Sequence, residues 1–307
     1  MAITQSGAAT AAALPFTPNG TIAATNVQAA IQEVRDESAV AAAGVLIDPL
    51  QSPYNAPTDG TSDATTAIAA AVTAAVAGDT IILSRYVFSV SALTWKSGVN
   101  LLLSSSLKKR SGTSTPVITI PYGSVDCTFY GGGAIDCNSI AGAYGLDVGS
   151  DTSTTSRITV DNIHFKNTAI NGATTNIPGI KLTRCSQCAV VNCHWTSCAM
   201  GILCYDIEYT TFENNHFATI SADDTINVWR TATSKALTGK GVKIVNNTMV
   251  TCKRNAIEIQ IDTEATLDYT DCLIAGNTIT MDTNTGNGYA ISLPNCSDVI
   301  VSNNHLY

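Results

Sequence analysis

Asp223 and Asp224 stand side by side, and Glu258 follows within one later repeat of the chain. Paired carboxylates can divide the work at a glycosidic bond: one gives a proton to the leaving oxygen while the other acts as base or nucleophile. Around them lie Lys181, Tyr205, Asn227, Trp229 and Gln260. A cation, two aromatic rings and two amides are groups that can hold a sugar, by stacking and by hydrogen bonds to its substituents. The bland alternative is an Asp pair that caps a turn and a Glu258 that is a solvated strand residue. A second cluster, Cys185-Ser186-Gln187-Cys188 with Cys193 and Cys198, has ligand spacing for zinc, and the four histidines invite the same thought. Which reading holds depends on the elements that carry these residues.

An internal repeat supplies those elements. Short blocks align as Asp161-Asn162-Ile163-His164-Phe165, Val191-Asn192-Cys193-His194-Trp195 and Glu213-Asn214-Asn215-His216-Phe217. They continue as Val245-Asn246-Asn247-Thr248-Met249, Ala275-Gly276-Asn277-Thr278-Ile279 and Ser302-Asn303-Asn304-His305-Leu306. A second block follows each: Gly179-Ile180-Lys181-Leu182, Gly201-Ile202-Leu203-Cys204, Thr225-Ile226-Asn227-Val228, Ala256-Ile257-Glu258-Ile259 and Ala290-Ile291-Ser292-Leu293. Small–apolar–variable–apolar is the period of a strand with one buried face. Stacked rung on rung, such strands make a right-handed parallel β-helix, an all-β fold in which equivalent residues form columns about 4.8 Å apart.

The columns decide most of the tempting residues. Cys193 aligns with Asn215 and Asn304, Cys198 with Cys252, and Cys204 with Val228, Ile259 and Leu293, so the thiols are expected as small core residues rather than metal ligands. His164, His194, His216 and His305 share one position with Thr248 and Thr278, an outward strand site. Asn162, Asn192, Asn214, Asn246 and Asn303 form a column expected to hydrogen-bond along the stack. No metal and no cofactor is expected. On the outward face of the second block, one column reads Asp147, Lys181, Leu203, Asn227, Glu258, Ser292, and the next brings Tyr205 beside Trp229 and Gln260. The two rings are expected to be exposed, offering either a sugar platform or a contact with another chain. One rung step and two residues of offset place Glu258 and the Asp pair roughly 8 Å apart at the backbone, a spacing that suits an inverting hydrolase.

The rest of the chain divides into three parts. Residues 1–45 are Ala-rich, with Val27, Ile31 and Val34 on a short heptad seam that is expected to form a helical trimerisation segment. Residues 46–79 read as a linker and capping helix, with Asp63 as N-cap, Ile68, Val72 and Val76 as its apolar face and Gly78 as its stop. Residues 80–307 are the β-helix. Charged residues are 13% against 45% hydrophobic, mean hydropathy is +0.16 and net charge is −8. That balance opposes disorder and nucleic-acid binding. The longest apolar runs, residues 39–47 and 67–77, are too short to span a bilayer, so no membrane insertion is expected. No basic residue precedes the N-terminal Ala-rich stretch, so no secretion signal is expected.

Three resemblances extend this reading. Thr58-Asp59-Gly60-Thr61-Ser62-Asp63-Ala64-Thr65, the later Gly78-Asp79-Thr80-Ile81-Ile82-Leu83, and Gly131-Gly132-Gly133-Ala134-Ile135-Asp136 resemble the entry and glycine-rich rungs of pectate-lyase-like β-helix proteins. Asp223-Asp224 resembles the aspartate pair of polygalacturonase-type glycosidases, although the third Asp and the His of that pattern are missing here. Phe16-Thr17-Pro18-Asn19-Gly20-Thr21-Ile22-Ala23-Ala24-Thr25-Asn26-Val27 resembles a segment near the start of bacteriophage tail fibre and tailspike proteins. The resemblance implies a homotrimeric tail component of a virion, made in the cytoplasm of the host bacterium. It would attach through residues 1–45 to tail, baseplate or adaptor proteins and bind host cell-surface polysaccharide. A non-enzymatic structural spike or adaptor, and a depolymerase as the main role, stay open beside it.

Overall fold

The computed structural model describes residues 44–112, 114–172, 176–231, 237–262, 269–282 and 288–307. The chain divides into two compact units at Val45/Leu46. The seam residues Val27, Ile31 and Val34 lie outside the described residues.

From Leu46 onward the chain visits three sheets in turn. Sheet I runs from Leu46–Ile47 to Val299–Ser302, sheet II from Val87–Val90 to His305–Leu306, and sheet III from Leu93–Thr94 to Ile291–Ser292. One turn reads Ala189–Val191, His194–Thr196 and Met200–Tyr205, and the next returns one strand further along each sheet. The pairings are parallel, so the fold is a parallel β-helix. The first sheet begins before residue 80: Leu46 and Ile47 pair with Thr80 and Ile81.

Alternation sends every second side chain inward. On sheet II the inward residues stack as Phe88, Leu107, Ile135, Phe165, Trp195, Phe217, Met249 and Ile279. Trp195 stacks on Phe165 at 5.3 Å and on Phe217 at 4.3 Å between ring centroids. These rings leave no room for a side chain at two glycines that open blocks of sheet III. A Cβ on Gly179 would lie 2.3 Å from Trp195 Nε1, and one on Gly201 would lie 2.8 Å from Phe217. Nine of the ten free cysteines are buried in the same core and Cys296 is half-buried. Burial pushes the Cys193 thiol up to about 12, so it stays protonated and packs as an apolar group.

Two details correct the expectations. The asparagines at 162, 192, 214, 246 and 303 are the left-handed turn residues, with φ between 54° and 57°, a conformation Asn tolerates and Gly276 shares. The hydrogen-bonded ladder belongs to the next residue. Asn215, Asn247 and Asn277 each give a backbone N–H and Nδ2 to the following asparagine's Oδ1, ending on Asn304. The helix α1 (Thr65–Ala74) buries Ile68, Ala71 and Val72, but Val76 lies beyond its end and is 62% exposed. Asp63 sits one residue before the N-cap Ala64 and still accepts the Thr65 N–H at 2.9 Å. Among the described residues no helix is long and apolar enough to cross a membrane.

Candidate functional site

Register on sheet III places the chemistry. Asp147, Lys181, Leu203, Asn227, Glu258 and Ser292 are successive pairing partners on its outward side. Thr183, Tyr205, Trp229 and Gln260 form the neighbouring column. Inward neighbours Ile226, Val228, Ile257 and Ile259 fix these directions by filling the core.

The carboxylates meet around one amide. Asn227 Nδ2 donates to Asp224 Oδ2 at 2.7 Å and to Glu258 Oε2 at 2.8 Å. The two oxygens are therefore at most about 5.5 Å apart, short of the ~6.5–9.5 Å of an inverting hydrolase and no longer than the ~5–5.5 Å of a double-displacement one. The inverting spacing expected from backbone offsets is thus overturned at the side chains, because Asn227 draws both carboxylates to itself. Asp224 also accepts the Asn255 N–H at 3.0 Å. Ser292 Oγ donates to Glu258 Oε1 at 3.3 Å. Asp223 accepts the Asp224 N–H and, at 2.7 Å, Arg254 Nη1; Arg254 Nε lies 3.7 Å from Asp224.

Burial sets the electrostatics. Glu258 is 6% exposed although it points outward. Desolvation first, and then the Asp224 carboxylate beside it, push Glu258 up to about 7 despite the opposing Arg254 charge. A carboxyl that still holds its proton near neutrality, next to an aspartate surrounded by donors, is the pairing that acid–base chemistry on a sugar requires.

The other candidates fall on the same face. Tyr205 and Trp229 are adjacent, with ring centroids 5.8 Å apart and planes tilted by 37°. They are half-buried, not exposed as expected, and so is Gln260 beside them. Lys181 lies two rungs from Asn227, its Nζ 3.8 Å from Asp147. Arg254 was not anticipated. It occupies, one rung later, the place of Asp223 before the strand, since Ile226 pairs with Ile257; aligning the residues that lead into the strands would have brought the two together. The histidine column stands apart on sheet II, with His164 and His194 stacked at 4.7 Å. Among the described residues, no group of three or more His, Cys, Asp or Glu is arranged to hold a metal ion.

No family model and no curated protein matches the sequence. Solved structures do match. The tailspike of E. coli bacteriophage HK620, solved with a pentasaccharide, aligns at a TM-score of 0.63 and 15% identity over 97% of this chain and 61% of that one. Its hexasaccharide complex gives 0.62 and 14% over the same shares. ORF18 of Geobacillus virus E2 gives 0.55 and 12% over 90% of this chain and 50% of that one. The chain thus spans about three-fifths of the tailspike it matches. At such low identity the likeness is one of fold: this chain has the parallel β-helix of the phage tailspikes.

Proposed function

We propose that the chain is the polysaccharide-recognising body of a phage tail protein and that it cleaves the glycan it binds. The observation that carries this is the Asp224–Asn227–Glu258 centre on the outward face of sheet III. Nothing in the repeat requires it, since the same column holds Lys181 and Leu203 in other rungs. The comparison adds support. The HK620 tailspike was studied with saccharide after a glutamate had been changed to glutamine or alanine, and an aspartate to asparagine or alanine.

In this reading Glu258 donates its proton to the leaving oxygen. As that C–O bond breaks, the Asp224 carboxylate bonds to the anomeric carbon; water deprotonated by Glu258 then attacks the same carbon and frees Asp224. Asp223 holds Arg254, whose Nε lies 3.7 Å from Asp224 and steadies that carboxylate. Tyr205 and Trp229 give a stacking surface, Gln260 a polar edge, and Lys181 a cation for an acidic substituent further along the face.

Assembly belongs to the same proposal. The protein is a homotrimer in the virion tail, joined to tail, baseplate or adaptor proteins through residues 1–45. Purified protein spotted on lawns of candidate host bacteria should give translucent halos and release reducing ends from extracted surface polysaccharide. Glu258→Gln and Asp224→Asn should each abolish that release while binding persists. Unchanged turnover in both would move the site elsewhere.

A further inference from the structure

Asn227 uses only half of its amide. Both Nδ2 hydrogens are taken, one by each carboxylate. The opposite orientation of the amide would set its oxygen against the Asp224 carboxylate, so that acceptor fixes which end faces the pair. Oδ1 is left buried without a hydrogen-bond partner among the described residues, on a side chain only 5% exposed. Bare buried acceptors are uncommon in folded proteins and call for a reason.

The scaffold does not supply one. Asn215, Asn247 and Asn277 are amides that the fold uses, and their Oδ1 atoms all accept hydrogen bonds from the rung before. Asn227 lies in a column where Asp, Lys, Leu, Glu and Ser serve equally well as strand residues. It is also the direct pairing partner of Glu258 and stands three residues after Asp224. Among the described residues, no other side chain hydrogen-bonds both.

We infer that Asn227 is the positioning residue of the carboxylate pair, and that its unpaired Oδ1, uncovered as neighbouring side chains shift on binding, is the docking point for a hydroxyl of the sugar next to the cleaved bond. This rests on the saccharide-cleaving reading above. The amide nitrogen holds Asp224 and Glu258 at a short separation, while the amide oxygen registers the sugar against them. Binding and alignment of the chemistry then depend on one side chain.

The two halves of the amide can be tested separately in the full chain. Asn227→Asp keeps an acceptor and removes the shared donor. Asn227→Ala removes both. Three measurements apply: titration of the Glu258 carboxyl by NMR of protein labelled with ¹³C-glutamate, reducing-end release, and calorimetric binding of the bacterial surface polysaccharide that the wild type recognises. The groups facing Glu258 in that titration are Asp224, Arg254, Ser292 and residue 227. For Asn227→Asp, turnover should fall about 100-fold or more, with the Kd within about threefold of wild type. The Glu258 midpoint should rise by about one pH unit or more, as a like charge replaces a donor. For Asn227→Ala, turnover should fall and the Kd should also weaken about tenfold or more. A purely structural asparagine would lower melting temperature in both variants without separating binding from turnover, and in Asn227→Ala, which adds no charge, would leave the Glu258 titration where it was. Normal titration and turnover in Asn227→Asp would overturn the positioning role, and wild-type affinity in Asn227→Ala would overturn the docking role. Should the alanine variant not fold, Asn227→Ser takes its place in the binding arm, with the same weakening expected. If the wild type binds polysaccharide but releases no reducing ends, the cleavage reading fails, while titration and affinity still decide the role of Asn227.

Discussion

Glu258 shows how a residue that reads as a solvated strand position becomes buried and holds its proton toward neutrality. Its inward neighbours force it outward, yet Asp224, Asn227 and Arg254 close around it. With its proton held up to about 7, against an ordinary 4.5, two consequences follow. Hydrolysis should decline as pH rises through about 7, because the acid is lost; a rate profile with no basic limb near there would assign the proton to another group. Stability has the matching sign. Between pH 4.5 and about 7 the native state binds the proton that the unfolded chain has released, so this group makes stability fall across that window and then level off. Glu258→Gln should therefore melt higher than wild type at pH 8 and about equal to it at pH 4, as read by calorimetry. The short carboxylate separation makes a third demand. Early product analysed by proton NMR should keep the anomeric configuration of the cleaved linkage; inverted product would require the pair to open by several ångströms when sugar enters. The sequence alone placed Glu258, Asn227 and the Asp pair on neighbouring rungs. It could not show that side chains from two rungs converge on one amide, because strand periodicity sets direction and not reach.

At the scale of the strand and its turns, most of the architecture is legible in columns. Alternation in Ile180, Leu182, Ile202, Cys204, Ile226 and Val228 fixes which face is inside, and the structure keeps that register without a slip. The asparagine columns show what such alignment misses. Two adjacent asparagines look alike in sequence, but one adopts the left-handed turn and the other lies inside it, where its amide satisfies backbone groups of the rung before and the asparagine side chain of the rung after. Asn247 accepts from Asn215 N and Nδ2 and donates to Phe212 O and Asn277 Oδ1. Asn247→Ala leaves several of those groups buried and unpaired, and should cost about 2–4 kcal/mol. Asn246→Gly, next to it, keeps the required backbone and should change stability by less than about 1 kcal/mol. Denaturant midpoints of the two variants give the comparison, and equal losses would mean that the ladder is not where the energy lies. A related constraint runs between sheets. Since a Cβ at Gly179 would meet Trp195, Gly179→Ala is expected to cost about 1–3 kcal/mol by overpacking.

For the molecule as a whole, the question is where an independently stable body begins. Composition shifts near residue 45, and sequence periodicity suggests that the β-helix starts at 80. Sheet I starts earlier, with Leu46–Ile47 pairing along Thr80–Ile81, and the buried residues Ala64, Ile68, Ala71 and Val72 belong to the same core as Ile81 and Leu83. Two residues of strand are too short to show periodicity, which is why this first strand was hidden in a segment that reads as a linker. The contact boundary at Val45/Leu46 agrees with the structural start. Two truncations separate the alternatives. Removing residues 1–45 should leave a folded body that melts within a few degrees of the full chain and still binds polysaccharide, but no longer joins virions. Removing residues 1–79 takes away the first strand and α1 as well. It uncovers the apolar face that Ile68, Ala71 and Val72 close, and leaves Thr80–Leu83 as a bare edge open to pairing with other chains. That shorter protein should aggregate, or melt well below the first, in light scattering and calorimetry carried out side by side. If both truncations were equally stable, the segment from 46 to 79 would be dispensable and the body would begin where periodicity alone suggests. A truncation of residues 1–45 that is still incorporated into particles would place the virion attachment elsewhere in the chain.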